Sequence, residues 1–174
     1  MLLKFFLLLF IQVLIIDASE NNECDLTQEV MLVKCIEKAR LMEKTVETLK
    51  NNSTDIEDLK KLDTQCRDVE NCMKIIPSCE QVIDSLTKIG QTCYALDFYA
   101  NQFELCSTEL KKLESTDKCV ANFFNFENLT IEEKCNSYND KCMDKLIDSK
   151  CSKELTPKFR RIQEMRFNMV CVQE

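Results

Sequence analysis

Apolar and polar residues follow a helical beat over most of this chain. From Cys35 the apolar or cysteine positions 35, 39, 42, 46 and 49 advance by four and three, the steps that keep side chains on one face of a helix. The same stepping links Ile56, Leu59, Leu62 and Cys66, and it runs longest through Cys79, Val82, Leu86, Ile89, Cys93, Leu96, Ala100 and Phe103. The pattern predicts helices near 27–50, 55–75, 78–113, 130–149 and 156–170, with 115–128 undecided. Start signals agree. Thr54 with Glu57, Ser78 with Gln81 and Thr130 with Glu133 have capping-box spacing, and Thr156-Pro157 sets a cap before a proline at the first helical position. Gly90 lies inside the longest run, in phase with it, and the run predicts one long helix, with room to bend there, rather than two. On a straight helix Cys106 lies ~140° round from Cys93, so the two are expected to meet different neighbours.

The fold class that follows is all-α, a disulfide-stapled bundle of about five helices. Composition supports it, since one glycine and two prolines are too few for the turns of a β-rich domain.

The first residues, MLLKFFLLLFIQVLIIDASE, change the picture. Lys4 precedes an apolar run from Phe5 to Ile16, broken only by Gln12. The run is shorter than the ~20 residues that span a bilayer and suits the apolar region of a signal peptide. Cleavage after Ala18 makes 1–18 the signal and 19–174 a single cysteine-rich helical domain, secreted and without a transmembrane segment. The C-terminal FNMVCVQE is neither a lipid-anchor tail nor an ER-retention signal.

Twelve cysteines follow the signal: Cys24, Cys35, Cys66, Cys72, Cys79, Cys93, Cys106, Cys119, Cys135, Cys142, Cys151 and Cys171. None forms the close C-x-x-C of a zinc or thioredoxin-like site, and the chain has no histidine. An even count in a secreted chain reads as six disulfides, with on the order of ten thousand possible connectivities. A chain this long does not need cross-links to own a core, so durability in a harsh medium is the expected use of so many.

The same absences bound the chemistry. Without histidine there is no Ser-His-Asp, Cys-His or H-E-x-x-H centre, and a single glycine rules out phosphate loops and dinucleotide fingerprints. Paired carboxylates are available among thirty acidic residues, but solvated helix faces account for them. No enzyme, metal or cofactor is expected. A net charge of −7 argues against nucleic acid, which needs a positive field.

Three N-x-S/T acceptors remain, Asn51, Asn52 and Asn128, with one glycan expected on the adjacent pair. Phe123, Phe124 and Phe126 cluster in VANFFNFENL, as core plugs or as the wall of an apolar ligand pocket. Lys158, Arg160, Arg161 and Arg166 alternate with Phe159, Ile162 and Met165 in a basic amphipathic segment. That segment reads as a solvated helix packing its apolar side, or as a weak site for sulfated glycans or acidic partners.

The cysteine rhythm carries a resemblance. The run C-x5-C-x6-C-x13-C-x12-C-x12-C from Cys66 to Cys119 includes TCYALDFYANQFELC, with Tyr94 after Cys93 and Phe103 before Cys106. With its flanking cysteines it resembles the nematode secreted cysteine-rich family called domain of unknown function nineteen, over nearly the whole mature chain. The resemblance implies a signal-bearing extracellular protein, and it brings no activity and no catalytic residues. Members often carry a tryptophan after the cysteine matching Cys119, where this chain has Phe123 and Phe124.

The expected function is an extracellular interaction module that binds a protein or a glycan through a rigid helical face. Its rivals are a carrier of small apolar ligands within the bundle and a secreted inhibitor or defence protein. An exposed apolar or basic patch favours the module; a closed cavity lined by Phe and Leu favours the carrier.

Overall fold

Where the apolar beat is regular the chain is helical. A computed structural model describes residues 26–50, 56–76 and 80–172. It contains α1 (Leu26–Lys50), α2 (Ile56–Lys74), α3 (Glu80–Asp97), a π turn (Phe98–Gln102), α4 (Glu104–Lys111), α5 (Lys118–Phe124), a 3-10 turn (Phe126–Asn128), α6 (Ile131–Asn139), α7 (Cys142–Lys150) and α8 (Leu155–Cys171). The described residues are helical with no strand, and they form eight α-helices where about five were expected. The signal segment 1–18, Cys24, Cys79, Asn51, Asn52 and the caps at Thr54 and Ser78 lie outside the described residues.

The added helices have local causes. The long helix expected over 78–113 is interrupted at Phe98–Gln102, where Phe103 N–H donates to Phe98 O at 2.9 Å, one residue further back than an α-helix allows. Phe98, Tyr99, Ala100 and Phe103 are all buried, a set too wide for one α-helical stripe. Gly90 sits inside α3 without a positive φ, so the chain runs through it as helix. A Cβ there would meet Glu70 Oε1 at 3.7 Å, plain van der Waals contact. Gly90→Ala is therefore expected to stabilise the protein by about 0.5–1 kcal/mol, read as a higher denaturant midpoint; a lower one would mean that the helix needs the glycine.

The helix expected over 130–149 ends at Asn139. Asp140 is extended, and its Oδ1 accepts from Cys142 N–H at 3.0 Å to start α7, the local competition that makes Asp a cap. The capping box at Thr130 forms as expected: Glu133 N–H donates to Thr130 Oγ1 at 3.2 Å, and Thr130 N–H donates to Glu133 Oε2 at 2.8 Å. Thr156 does not cap α8. That helix starts one residue earlier over Ser152, whose Oγ accepts from Glu154 N–H at 3.2 Å. Thr156 is instead buried and donates its hydroxyl to Asp148. In the undecided stretch, Asp117 caps α5 by accepting from Cys119 N–H at 2.9 Å.

The described residues fall into two compact units that divide between Asp97 and Phe98. In the first, α2 packs on both α1 and α3. The predicted stripe Cys35, Ala39, Met42, Val46 and Leu49 is buried there, as are Leu59, Leu62 and Cys66. Cys35–Cys72 ties α1 to α2, and Cys66–Cys93 ties α2 to α3. Arg67 reaches from α2 to Asp97 on α3 at 3.1 Å. In the second unit, Cys106–Cys151, Cys119–Cys142 and Cys135–Cys171 tie α4 to the end of α7, α5 to α7, and α6 to α8. Cys93 and Cys106 do meet different partners.

Candidate functional site

The second unit is organised around rings. Phe103, 1% exposed, lies against Phe98, Tyr99, Phe123 and Phe159 with centroids 5.1 to 6.2 Å apart, the spacing of attractive aromatic pairs. Phe123 and Phe159 reach past this core, 5.8 Å from each other, and form part of the lining of a half-open cleft of about 770 Å³. Its walls are α5, α6, α7 and α8, with Phe126, Tyr138 and Phe167 continuing the aromatic surface. Tyr138 lies 5.2 Å from Phe126 and meets Phe167 edge-on at 6.4 Å. Cys119 and Cys142 are themselves part of the lining. Together with Cys135–Cys171 their bond fixes the spacing of the walls.

The rim is polar, and much of its charge is committed. Arg160 holds Asp144 through Nη2 at 2.6 Å, tying α8 to α7. Glu133 is taken by its capping box, where the Thr130 backbone N–H and then its hydroxyl hold the carboxyl below its ordinary value of 4.5. A depressed folded value favours the charged form, so this contribution is complete above 4.5 and fades as pH falls through the lowered value. Glu133→Gln is accordingly expected to lose stability relative to wild type at neutral pH and to close that gap on acidification. A gap independent of pH would assign the effect to the amide's geometry.

Inside the rim the chemistry differs. Arg166 is 5% exposed, with its guanidinium 5.3 Å from the Tyr99 ring centre. Burial pushes the Tyr99 and Tyr138 phenols well above their usual range, with Arg166 opposing, so both keep their protons. Among the described residues, Tyr138 Oη and Gln163 Nε2 are shut off from solvent with no hydrogen-bond partner. Native proteins leave few such atoms.

Several residues singled out in the sequence converge here. Phe123 and Phe126, half-buried, are wall residues of the cleft, whereas Phe124 faces Lys111, whose Nζ is 5.6 Å from its ring. The basic segment is not one free patch. Lys158 donates to Gln102 at 2.6 Å, Arg160 is paired, Arg161 is exposed, and Arg166 is buried. Arg166 follows Phe159 by seven and Ile162 by four, which places it on the helix's buried face; that spacing was the available signal. Tyr138, Gln163 and Asn122 gave no sequence signal, because their importance comes from facing one another across helices. Asn128 is exposed on the 3-10 turn, beside the capping box of its own sequon.

No helix among the described residues is long and apolar enough to cross a membrane. No curated protein and no solved structure matches the chain. A family model described as a domain of unknown function, DUF19, matches residues 24–171. With all twelve cysteines inside that match, the chain belongs to the DUF19 family.

Proposed function

We propose that this chain is a signal-directed, secreted and glycosylated binding module, without catalysis, whose cleft between α5 and α8 holds an extracellular partner. The carrying observation is the cleft itself, an aromatic floor with a polar rim on walls braced by disulfides. Apolar surface with a few placed polar groups is what binding sites present, and braced walls lower the ordering cost of association. The second reading, a carrier of small apolar ligands, draws on the volume of about 770 Å³, which falls in the range of small-ligand sites. The open side and charged rim favour the module, since a carried apolar ligand is better served by enclosure.

The test is a binding screen with protein secreted from animal cells against extracellular proteins and glycans, comparing wild type with Asn122→Trp, which fills the cleft from α5. The module reading expects a partner retained by wild type and released by the variant. A partner indifferent to the substitution would move the site elsewhere. A small-molecule mass lost on denaturing the secreted protein would favour the carrier. In the same spectra, mass removed by glycosidase reports the glycan, and no added mass on alkylation without reduction reports six closed disulfides.

A further inference from the structure

We infer that the cleft receives the C-terminal end of a partner protein chain, its last apolar side chain against the aromatic wall and its carboxylate on Tyr138 and Gln163. The inference rests on the cleft being the binding surface, and it adds the chemistry of what is bound.

Two donors carry it. Tyr138 Oη on α6 and Gln163 Nε2 on α8 are both withdrawn from solvent and lack a protein partner among the described residues, and both residues belong to the cleft lining. A buried donor left unmade is costly, and hydrogen bonds to a charged acceptor are the stronger kind. The two residues stand on helices that are held together. Cys135–Cys171 ties α6 to α8, the Tyr138 ring meets Phe167 at 6.4 Å, and Gln163 lies one turn before Phe167. Binding on this inference includes a change of rotamer at both residues that turns their donors to the guest. Nearby, Arg166 brings a positive charge to the same lining while its ring contact with Tyr99 holds it in place. Of the four lining carboxylates, Asp144 pairs with Arg160 and Glu133 and Asp140 accept from backbone N–H groups at helix starts, while Glu164 is exposed to solvent on α8. The inner end therefore suits an oxygen anion and the walls suit an apolar or aromatic group. The open side lets the rest of a chain leave toward solvent, which favours a chain terminus over a free amphiphile.

The test uses the full oxidised mature chain, labelled with ¹⁵N, titrated with a hexapeptide ending in Leu-Phe as the free acid, with its C-terminal amide, and with dodecanoate. The free acid is expected to shift the Gln163 side-chain amide resonances and to bind at least about tenfold more tightly than the amide. Tyr138→Phe keeps the ring and removes the hydroxyl, so it should weaken the acid about tenfold while leaving thermal stability unchanged or higher. Gln163→Leu should do the same to affinity. Equal binding of acid and amide, or variants that bind the acid like wild type, would overturn the carboxylate assignment. If that equal binding is abolished by Asn122→Trp, the module stands without it. Dodecanoate binding where the peptide does not would replace the chain terminus with a free amphiphile and overturn the inference. A Gln163 amide that no probe moves would overturn it too.

Discussion

Replacing Phe103 by alanine is expected to destabilise the second unit by about 3–5 kcal/mol, lowering its Tm by more than about 12 °C. The size follows from position. Phe103 is 1% exposed and touches four rings from the π turn, α5 and α8, so alanine leaves a cavity with walls too well tied to collapse. The cost is the lost transfer of the ring plus the unfilled volume. Leu105→Ala is the control. Leu105 lies two residues along and is 83% exposed, so its removal should cost no more than about 0.5 kcal/mol. Thermal unfolding followed by near-UV circular dichroism separates the two. Equal losses would mean that the ring cluster is not the core of this unit. The variant also bears on the cleft, because Phe123 and Phe159 rest on Phe103 and line the cleft with their outer faces.

Removing the Cys106–Cys151 bridge with Cys106→Ala and Cys151→Ala together is expected to cost about 4 kcal/mol. The bridge closes a loop of 45 residues, and the chain-entropy relation gives that figure for the freedom returned to the unfolded chain. Cys119–Cys142 spans 23 residues and should cost about 3.5 kcal/mol by the same relation. Length alone thus barely separates them. What does separate them is place. Cys119 and Cys142 belong to the cleft lining, so losing that bridge should weaken the binding of a partner as well as the fold, whereas Cys106, on α4, is buried at 3% exposure and is not part of that lining. Denaturant unfolding without reductant reads the stabilities. An unchanged midpoint in the first double variant would show that helix packing alone holds this unit. Reduction of every bridge should also speed proteolysis of the protein; unaltered digestion would remove durability as the reason for so many cysteines.

The local code was readable wherever a single helix face decided the outcome. Cys35, Ala39, Met42, Val46 and Leu49 are buried because a four-and-three repeat has one face to hide, whatever covers it. The Thr130–Glu133 box formed because its hydrogen bonds join residues three apart. The expected helix number fell short where local and tertiary demands disagreed. Around Phe98 the chain buries four large or tightly packed residues within six positions, and a π turn presents more of them inward than an α-helix can. At Asp140 a carboxylate bonded forward to Cys142 N–H outweighs a periodicity that runs straight through. Arg166 was grouped with the basic residues by its charge, although its spacing from Phe159 and Ile162 puts it on the buried side.

By itself the sequence determined the helical class, the family, the cysteine supply and the faces that must be buried, because each depends on residues close along the chain or on composition. Only the tertiary structure decided which cysteines meet, where the core rings converge, and that Tyr138 and Gln163 line the same cleft. Those facts depend on which buried face lies against which. A periodic pattern states that a face needs covering and is silent on the partner; the partner is chosen by shape and volume between segments far apart in sequence.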